Sequence, residues 1–305
     1  DTGAIPVATF SRTHSRAWLS WTPPTGTHAV AYGFRSIAVL PRRPFGNTGI
    51  DVSILGLGTV KLGRDQGVKY PNNFAIPDDQ QAAQLISIAR EQGINLIDTA
   101  PAYGTSETRL GQLLKGQREA WVICSKVGEE FEQGKSFFDF TPEHTRFSIE
   151  RSLQRLRTEM IDIVLVHSDG NDEAIIRDYG TLDMLAQLKA EGKIRAFGMS
   201  TKTVEGGLLA AEKSDAVMVT WNLQYDHELP VVDYCLAQHR GVLIKKALAS
   251  GHAALSTGED PVQKTFQMIF QHPGVSSAII GTINPAHLRD NIDKAIRAAA
   301  PGNSK

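Results

Sequence analysis

Five short apolar runs in this chain stop on side chains that can carry a charge, move a proton or form a covalent adduct. Ile94–Asp98 stops on Asp98, Trp121–Lys126 on Ser125 and Lys126, and Ile161–His167 on His167 with Ser168 next. Ile194–Ser200 stops on Ser200 with Thr201 next, and Val242–Lys246 on Lys245 and Lys246. An acid, three lysines and an imidazole set at the ends of Val/Ile/Leu runs are costly unless each has a partner, so these groups are expected to partner one another. Their chemistry would be proton transfer and electrostatic stabilisation, or imine formation if Lys126 or Lys245 met a carbonyl as in a Schiff-base aldolase. Tyr103, on a loop closed by Gly104, supplies one further proton-transfer group.

What positions these residues is an alternation of short and long elements. Strand-like runs fall at Ser53–Thr59, Ile94–Asp98, Trp121–Lys126, Ile161–His167, Ile194–Ser200, Val217–Trp221, Val242–Lys246 and Ser276–Gly281. Helical spacing lies between them: after Pro77, Asp78 and Asp79, the residues Ala82, Leu85, Ile86 and Ala89 recur at i, i+3, i+4, i+7, and Gly93 supplies the stop. Thr141-Pro142-Glu143 opens another helix as cap, first-turn proline and early acid. Further helices are expected over Glu173–Glu191, Thr203–Lys213, His227–His239, Pro261–Gln271 and Pro285–Ala299. Eight strands, each followed by a helix-length segment, predict a (β/α)8 TIM barrel, whose chemistry sits at the carboxyl ends of its strands. A doubly wound sheet fits less well, because Gly56-Leu57-Gly58 lacks the third glycine of a dinucleotide fingerprint and opens no capped helix.

The 305 residues hold 32 Lys plus Arg against 33 Asp plus Glu, which leaves no excess positive charge for a nucleic-acid backbone or an anionic membrane. No apolar run is long enough to span a bilayer, and two cysteines make no disulfide framework. Cys124 and Cys235 are expected to be reduced core residues of a cytoplasmic protein. Residues 1–44 lack periodicity, caps and turn signals, so the chain is expected to divide into an N-terminal extension and a single barrel domain over 45–305. The extension is Arg- and Ser-rich and poor in acids, as transit peptides are, but holds no apolar stretch of secretory-signal length.

The run Gly93-Ile94-Asn95-Leu96-Ile97-Asp98-Thr99-Ala100-Pro101-Ala102-Tyr103-Gly104, followed by Ser106-Glu107 and Leu110-Gly111, resembles the signature of the aldo-keto reductases. Gly49-Ile50 through Gly56-Leu57-Gly58-Thr59, Ser125-Lys126-Val127-Gly128, Leu165-Val166-His167 and Gly192-Lys193-Ile194-Arg195-Ala196-Phe197-Gly198-Met199-Ser200 extend the resemblance, in order, from about residue 45 to 299. It implies metal-free, reversible hydride transfer between a nicotinamide cofactor and a small-molecule aldehyde, ketone or sugar carbonyl. The implied catalytic tetrad is Asp98, Tyr103, Lys126 and His167. Tyr103 would be the proton donor, Lys126 would bring its pKa below the ~10 of free tyrosine, Asp98 would hold the ammonium and His167 would orient the carbonyl. Thr99 and Ser125 are read as structural.

The resemblance also implies where an extended dinucleotide would lie. Gly58, Thr59 and Val60 would form a platform near the nicotinamide, and Asp98 would border it. Ser200 and Thr201 would meet the carboxamide, with Thr201 in place of the family's usual Asn. Gly281, Thr282, Ile283, His287 and Asn291 would serve the adenosine phosphates, although Asn284-Pro285 reads equally as a turn and helix cap. Lysine replaces the aromatic residue that often stacks on the nicotinamide, so Lys245 or Lys246 would contact the pyrophosphate instead. NADPH is the expected cofactor, with NADH open because the last loop lacks a basic pair. With little sequence after the eighth helix the pocket is expected to be open, and Tyr70, Phe74, Phe131, Phe137 and Phe138 could wall it. A nucleotide-sensing subunit of the same fold with little turnover is the alternative function. Oligomeric state is not legible in the sequence.

Overall fold

The computed structural model describes residues 39–68, 73–249 and 260–300. Residues 1–38 of the expected extension and Tyr70 lie outside them. The strands in chain order are β1 (Arg42–Pro44), β2 (Asp51–Ser53), β3 (Leu55–Gly58), β4 (Leu96–Asp98), β5 (Val122–Val127), β6 (Glu129–Glu132), β7 (Lys135–Phe138), β8 (Ile161–His167), β9 (Ile194–Ser200), β10 (Ala216–Thr220), β11 (Gly241–Lys245) and β12 (Ser277–Ile280). Eight of them, β3, β4, β5, β8, β9, β10, β11 and β12, pair in parallel and close on themselves, so the expected barrel is the observed one.

Helices cover the outside of the barrel: α1 (Val60–Gly63), α2 (Asp79–Glu91), α3 (Ser106–Leu113), α4 (Pro142–Leu156), α5 (Asp172–Asp178), α6 (Thr181–Ala190), α7 (Val204–Lys213), α8 (Leu229–Ala237), α9 (Pro261–Gln271) and α10 (Pro285–Ala299). Asp78 caps α2 in a reciprocal box with Gln81, and Thr141 caps α4 with Pro142 at its first position, as the sequence predicts. Glu173–Glu191 is not one helix. The chain turns at Gly180 in the left-handed region (φ +74°), which splits it into α5 and α6.

Two features depart from the sequence reading at the start of the barrel. The first expected strand breaks at Ile54, because Ser53 N–H donates to Asn95 Oδ1 (2.6 Å) and Ser53 Oγ donates to Leu55 O (2.6 Å), diverting the backbone from one ladder to another. The boundary expected at residue 45 also falls earlier: Leu40 is buried, and Arg42–Pro44 pair antiparallel with Asp51–Ser53. This hairpin sends Phe45, Ile50 and Val52 into the same buried cluster as Leu96, Cys124, Ile163, Leu165, Ala196, Met218 and Leu243 from the barrel strands. The hairpin therefore plugs the amino-terminal end. A second hairpin, β6 with β7, rises from the carboxyl end directly after β5.

Candidate active site

Successive residues on a strand face opposite ways, so the inward face of each barrel strand can be read two residues at a time. Leu96 on β4, Cys124 on β5, Leu165 on β8 and Leu243 on β11 belong to the interior cluster. Two residues further along each strand stand Asp98, Lys126, His167 and Lys245. The ionisable strand ends are thus the top layer of the barrel filling, brought to one mouth by register.

Lys126 is 1% exposed and its ammonium donates to Asp98 Oδ1 (2.5 Å) and to Thr99 O (2.9 Å). Burial alone would neutralise this lysine. Charge interaction with Asp98, reinforced by the Tyr103 phenol, outweighs burial and holds its pKa above the ordinary lysine value, so it stays cationic. The Lys126 nitrogen lies 5.0 Å from the centroid of the Tyr103 ring. Tyr103 ends a 3-10 turn over Pro101–Tyr103 that presses on α1, where the Gly63 α-carbon is so close that a Cβ would meet Tyr103 O at 2.3 Å. Arg64, which follows α1, donates to Ala102 O (3.0 Å) and fixes the other side of that turn.

His167 meets Tyr103 edge-on, with ring centroids 6.3 Å apart. Its Nδ1 is buried and lies 2.8 Å from Glu129 Oε2, in a geometry that does not make a hydrogen bond. Burial, with the nearby charges of Lys126 and Lys245, holds the imidazole pKa below its usual value despite Glu129. Glu129 carries its own burial penalty, yet the contacts with His167, Ser136 and Arg64 bring its carboxyl down to about 2. Ser136 Oγ donates to Glu129 Oε1 at 2.6 Å, and Arg64 stands 3.8 Å away.

Lys245 closes the circle. Its ammonium donates to Ser200 Oγ (3.0 Å) and to Thr201 O, both neutral acceptors, and burial pushes its pKa down to about 8 although Glu228 opposes the shift. Glu228 is 1% exposed, accepts from Thr220 N–H (2.9 Å), and is itself raised by burial.

The four tetrad residues, Ser200, Thr201 and Lys245 therefore share one mouth. Thr59 lies at the same end, but its N–H and hydroxyl both donate to Asp98 O, at 3.0 and 2.9 Å, so it serves the β3–β4 strand ends. Gly58 and Val60 flank it, half-buried. Lys246 is exposed, with its carbonyl accepting from Asn222 Nδ2 (3.1 Å). Gly281, Thr282 and Ile283 follow β12; Asn284 caps α10 by accepting from Ala286 and His287 N–H, which leaves His287 exposed and Asn291 buried. Thr99 and Ser125 hold structure as expected: their hydroxyls donate to Ser106 Oγ and Glu107 Oε1. Of the expected aromatic wall, Phe131 lies under the Arg64 guanidinium at 3.6 Å, while Phe137 and Phe138 are exposed on β7. Cys124 and Cys235 are free and buried.

Glu129, Arg64 and Glu228 escaped the sequence reading. The only signal for Glu129 was an acid two residues beyond a strand that ends at Val127. A large cavity of about 1310 Å³ lies elsewhere, at the amino-terminal end of the barrel beside Trp121, Arg157 and Asp162, and contains none of the groups above. The reactive constellation, rather than cavity size, locates the site.

A closed parallel eight-stranded barrel with Asp, Tyr, Lys and His gathered at its carboxyl mouth defines a class, and residues 54–260 match the Aldo/keto reductase family. The chain belongs to that family of oxidoreductases. It is similar to PA4992 of Pseudomonas aeruginosa, whose crystal structure is 55% identical at a TM-score of 0.78, covering 85% of this chain and 95% of that one. It is 29% identical over 228 residues to aldo-keto reductase YhdN of Bacillus subtilis, covering 72% of this chain and 65% of that protein. It is 30% identical over 223 residues to L-galactose dehydrogenase of Arabidopsis thaliana, covering 68% and 66% respectively. The chain thus spans about two thirds of the length of these two relatives. The holo form of aldo-keto reductase AKR11C1 from Bacillus halodurans, 22% identical at a TM-score of 0.72 and covering 87% of this chain and 99% of that one, shares the fold.

Proposed function

We propose that this chain transfers hydride reversibly between a nicotinamide cofactor and the carbonyl carbon of an aldehyde, ketone or sugar, with Tyr103 giving or taking the proton at oxygen. One observation carries the reading: a buried lysine kept charged by Asp98 at 2.5 Å and set 5.0 Å from the ring of Tyr103. As a carbonyl becomes an alcohol its oxygen gathers negative charge, and Tyr103 donates its phenolic proton there. The Lys126 ammonium then stabilises the charge left on the phenol oxygen, and Asp98 keeps that ammonium in place. His167, with its buried nitrogen on Glu129, orients the substrate oxygen.

The cofactor, when bound, supplies or accepts the hydride. Lys245 is the feature that fits it: a half-buried cation whose hydrogen-bonding partners among the described residues are neutral suits a pyrophosphate. Ser200, Thr201 and Lys246 lie beside it, Gly58, Thr59, Val60 and Asp98 border the tetrad, and Gly281, Thr282, Ile283, His287 and Asn291 offer the other end of an extended site. NADPH is the expected cofactor. NADH stays open: a relative named NADH-specific methylglyoxal reductase, from Escherichia coli, is 38% identical over 168 residues. The substrate is a small carbonyl compound.

The test is oxidation of NADPH and, separately, NADH with 4-nitrobenzaldehyde at pH 7, in the wild type and in Tyr103→Phe. The variant is expected to bind cofactor as before and to lose ~10²–10⁴ in turnover. Equal turnover in the two proteins sinks the assignment of Tyr103, and tight cofactor binding without turnover of any carbonyl sinks the reductase reading.

A further inference from the structure

One side chain outside the tetrad ties the turn of Tyr103 to the hairpin that rises beside it. Arg64, half-buried at the end of α1, divides its planar fork among three carbonyls: Nε donates to Gln66 O (2.8 Å), Nη1 to Ala102 O (3.0 Å) and Nη2 to Gly67 O (3.3 Å). Ala102 directly precedes Tyr103 in the Pro101–Tyr103 turn. On the hairpin side the guanidinium carbon lies 3.6 Å from the ring centroid of Phe131, and Nη1 stands 3.8 Å from Glu129 Oε1 on the same strand, β6.

The backbone just before Arg64 grips the other half of the turn. Thr105 N–H donates to Gly63 O (3.2 Å), and Gly104, in the left-handed region at φ +61°, comes so near that a Cβ on it would meet that oxygen at 2.2 Å. The turn is held on both sides, so the place of the phenol follows the place of Arg64. Arg64 acts by charge as well. Burial lowers its pKa, while Glu129 and charge on the Tyr103 phenol both work to raise it, so guanidinium and phenol feel each other. Since a guanidinium stays charged, that interaction favours the phenolate.

We propose that Arg64 is a positioning residue for proton transfer: it fixes the turn of Tyr103 against the β6–β7 hairpin and adds a second positive charge, besides Lys126, that stabilises the phenolate left when Tyr103 gives up its proton. The proposal rests on the reductase reading and deepens it. Among the described residues, the titratable and charged groups that face Tyr103 are Lys126 from β5, His167 from β8 and Arg64 from the end of α1. The charge effect needs only a cation, whereas the positioning needs the planar fork. Lysine supplies the first without the second, which lets the two be separated.

Carbon NMR of protein labelled at the tyrosine rings, with Tyr103→Phe used to assign the signal, follows the phenol through its titration without any turnover. Tyr103 is expected to titrate at higher pH in Arg64→Met than in the wild type, and close to the wild-type pH in Arg64→Lys. The single-turnover rate of hydride transfer to 4-nitrobenzaldehyde is expected to fall ~10- to 100-fold in both variants, the scale of an ångström-sized displacement, with cofactor affinity unchanged. Phe131→Leu removes the ring beneath the guanidinium but none of its hydrogen bonds, and is expected to lower the rate in the same direction; it carries the test of the tie if Arg64→Met fails to fold. A rate unchanged in Arg64→Lys and Phe131→Leu, or a Tyr103 titration unmoved in Arg64→Met, overturns the proposal. Absence of wild-type turnover with every carbonyl refutes the reductase reading, while the titration alone still decides whether the charge of Arg64 reaches Tyr103.

Discussion

Replacing Asp98 by Ala leaves the Lys126 ammonium with one acceptor, Thr99 O at 2.9 Å, in a site where the lysine is 1% exposed. Removing one partner of a buried pair costs ~3–5 kcal/mol. The lysine has an escape, which is to fold uncharged. Releasing the proton of an ordinary lysine of pKa ~10.4 costs about 4.6 kcal/mol at pH 7 and about 1.9 kcal/mol at pH 9, which sets a falling ceiling on the penalty. The sign follows from proton counting. In the wild type the folded pKa lies above the unfolded one, so the contribution is fully present below pH ~10.4 and is lost only as pH rises through the folded value. In Asp98→Ala the folded pKa drops below ~10.4, so the unfolded chain binds more protons and the variant gains stability as pH rises. Urea titrations of both proteins at pH 7, 8 and 9 isolate the effect, because every other group titrates in both. The stability gap should start near ~4 kcal/mol and close by more than ~1.5 kcal/mol over those two pH units. A gap independent of pH, or one below ~1 kcal/mol throughout, would show that Asp98 does not hold the charge of Lys126.

Lys245 should behave oppositely, because burial depresses its pKa to about 8. Its penalty is fully present below that value and fades as pH climbs toward the unfolded value, so Lys245→Met should stabilise the fold by ~2 kcal/mol at pH 7 and by almost nothing at pH 10, read by denaturant titration. Gly128 sits at φ +99°, and a Cβ there would meet the ring of Phe140 at 2.5 Å. Gly128→Ala should therefore cost ~2 kcal/mol or more in the same assay and displace the hairpin that carries Glu129; a neutral effect would mean that the hairpin adjusts freely.

The barrel and the ionisable ends of its strands were legible for a common reason. Each inner strand keeps its alternation up to the last turn of the barrel, so Leu96 and Asp98, Cys124 and Lys126, and Leu165 and His167 mark one face by spacing alone. The β6–β7 hairpin was not legible. Its two-residue turn is Gln133-Gly134 with φ of +48° and +79°, and glutamine is a weak signal where Asn-Gly or Asp-Gly announces such a turn. A segment read as loop thus hid Glu129, whose carboxylate accepts from Ser136 Oγ across the hairpin. The split of α5 from α6 was missed because the apolar spacing of Ile175, Ile176, Leu182 and Leu185 runs on through Gly180. The first strand misled because Ile54 and Leu55 continue the apolar run while the backbone changes partners.

The plug formed by β1, β2 and Phe45 bears on traffic as well as on packing. The hairpin and the side chains packed inside the barrel close its floor, so among the described residues the approach to Tyr103 lies at the carboxyl mouth. A cofactor and a carbonyl that meet at Tyr103, as proposed, would share that entrance.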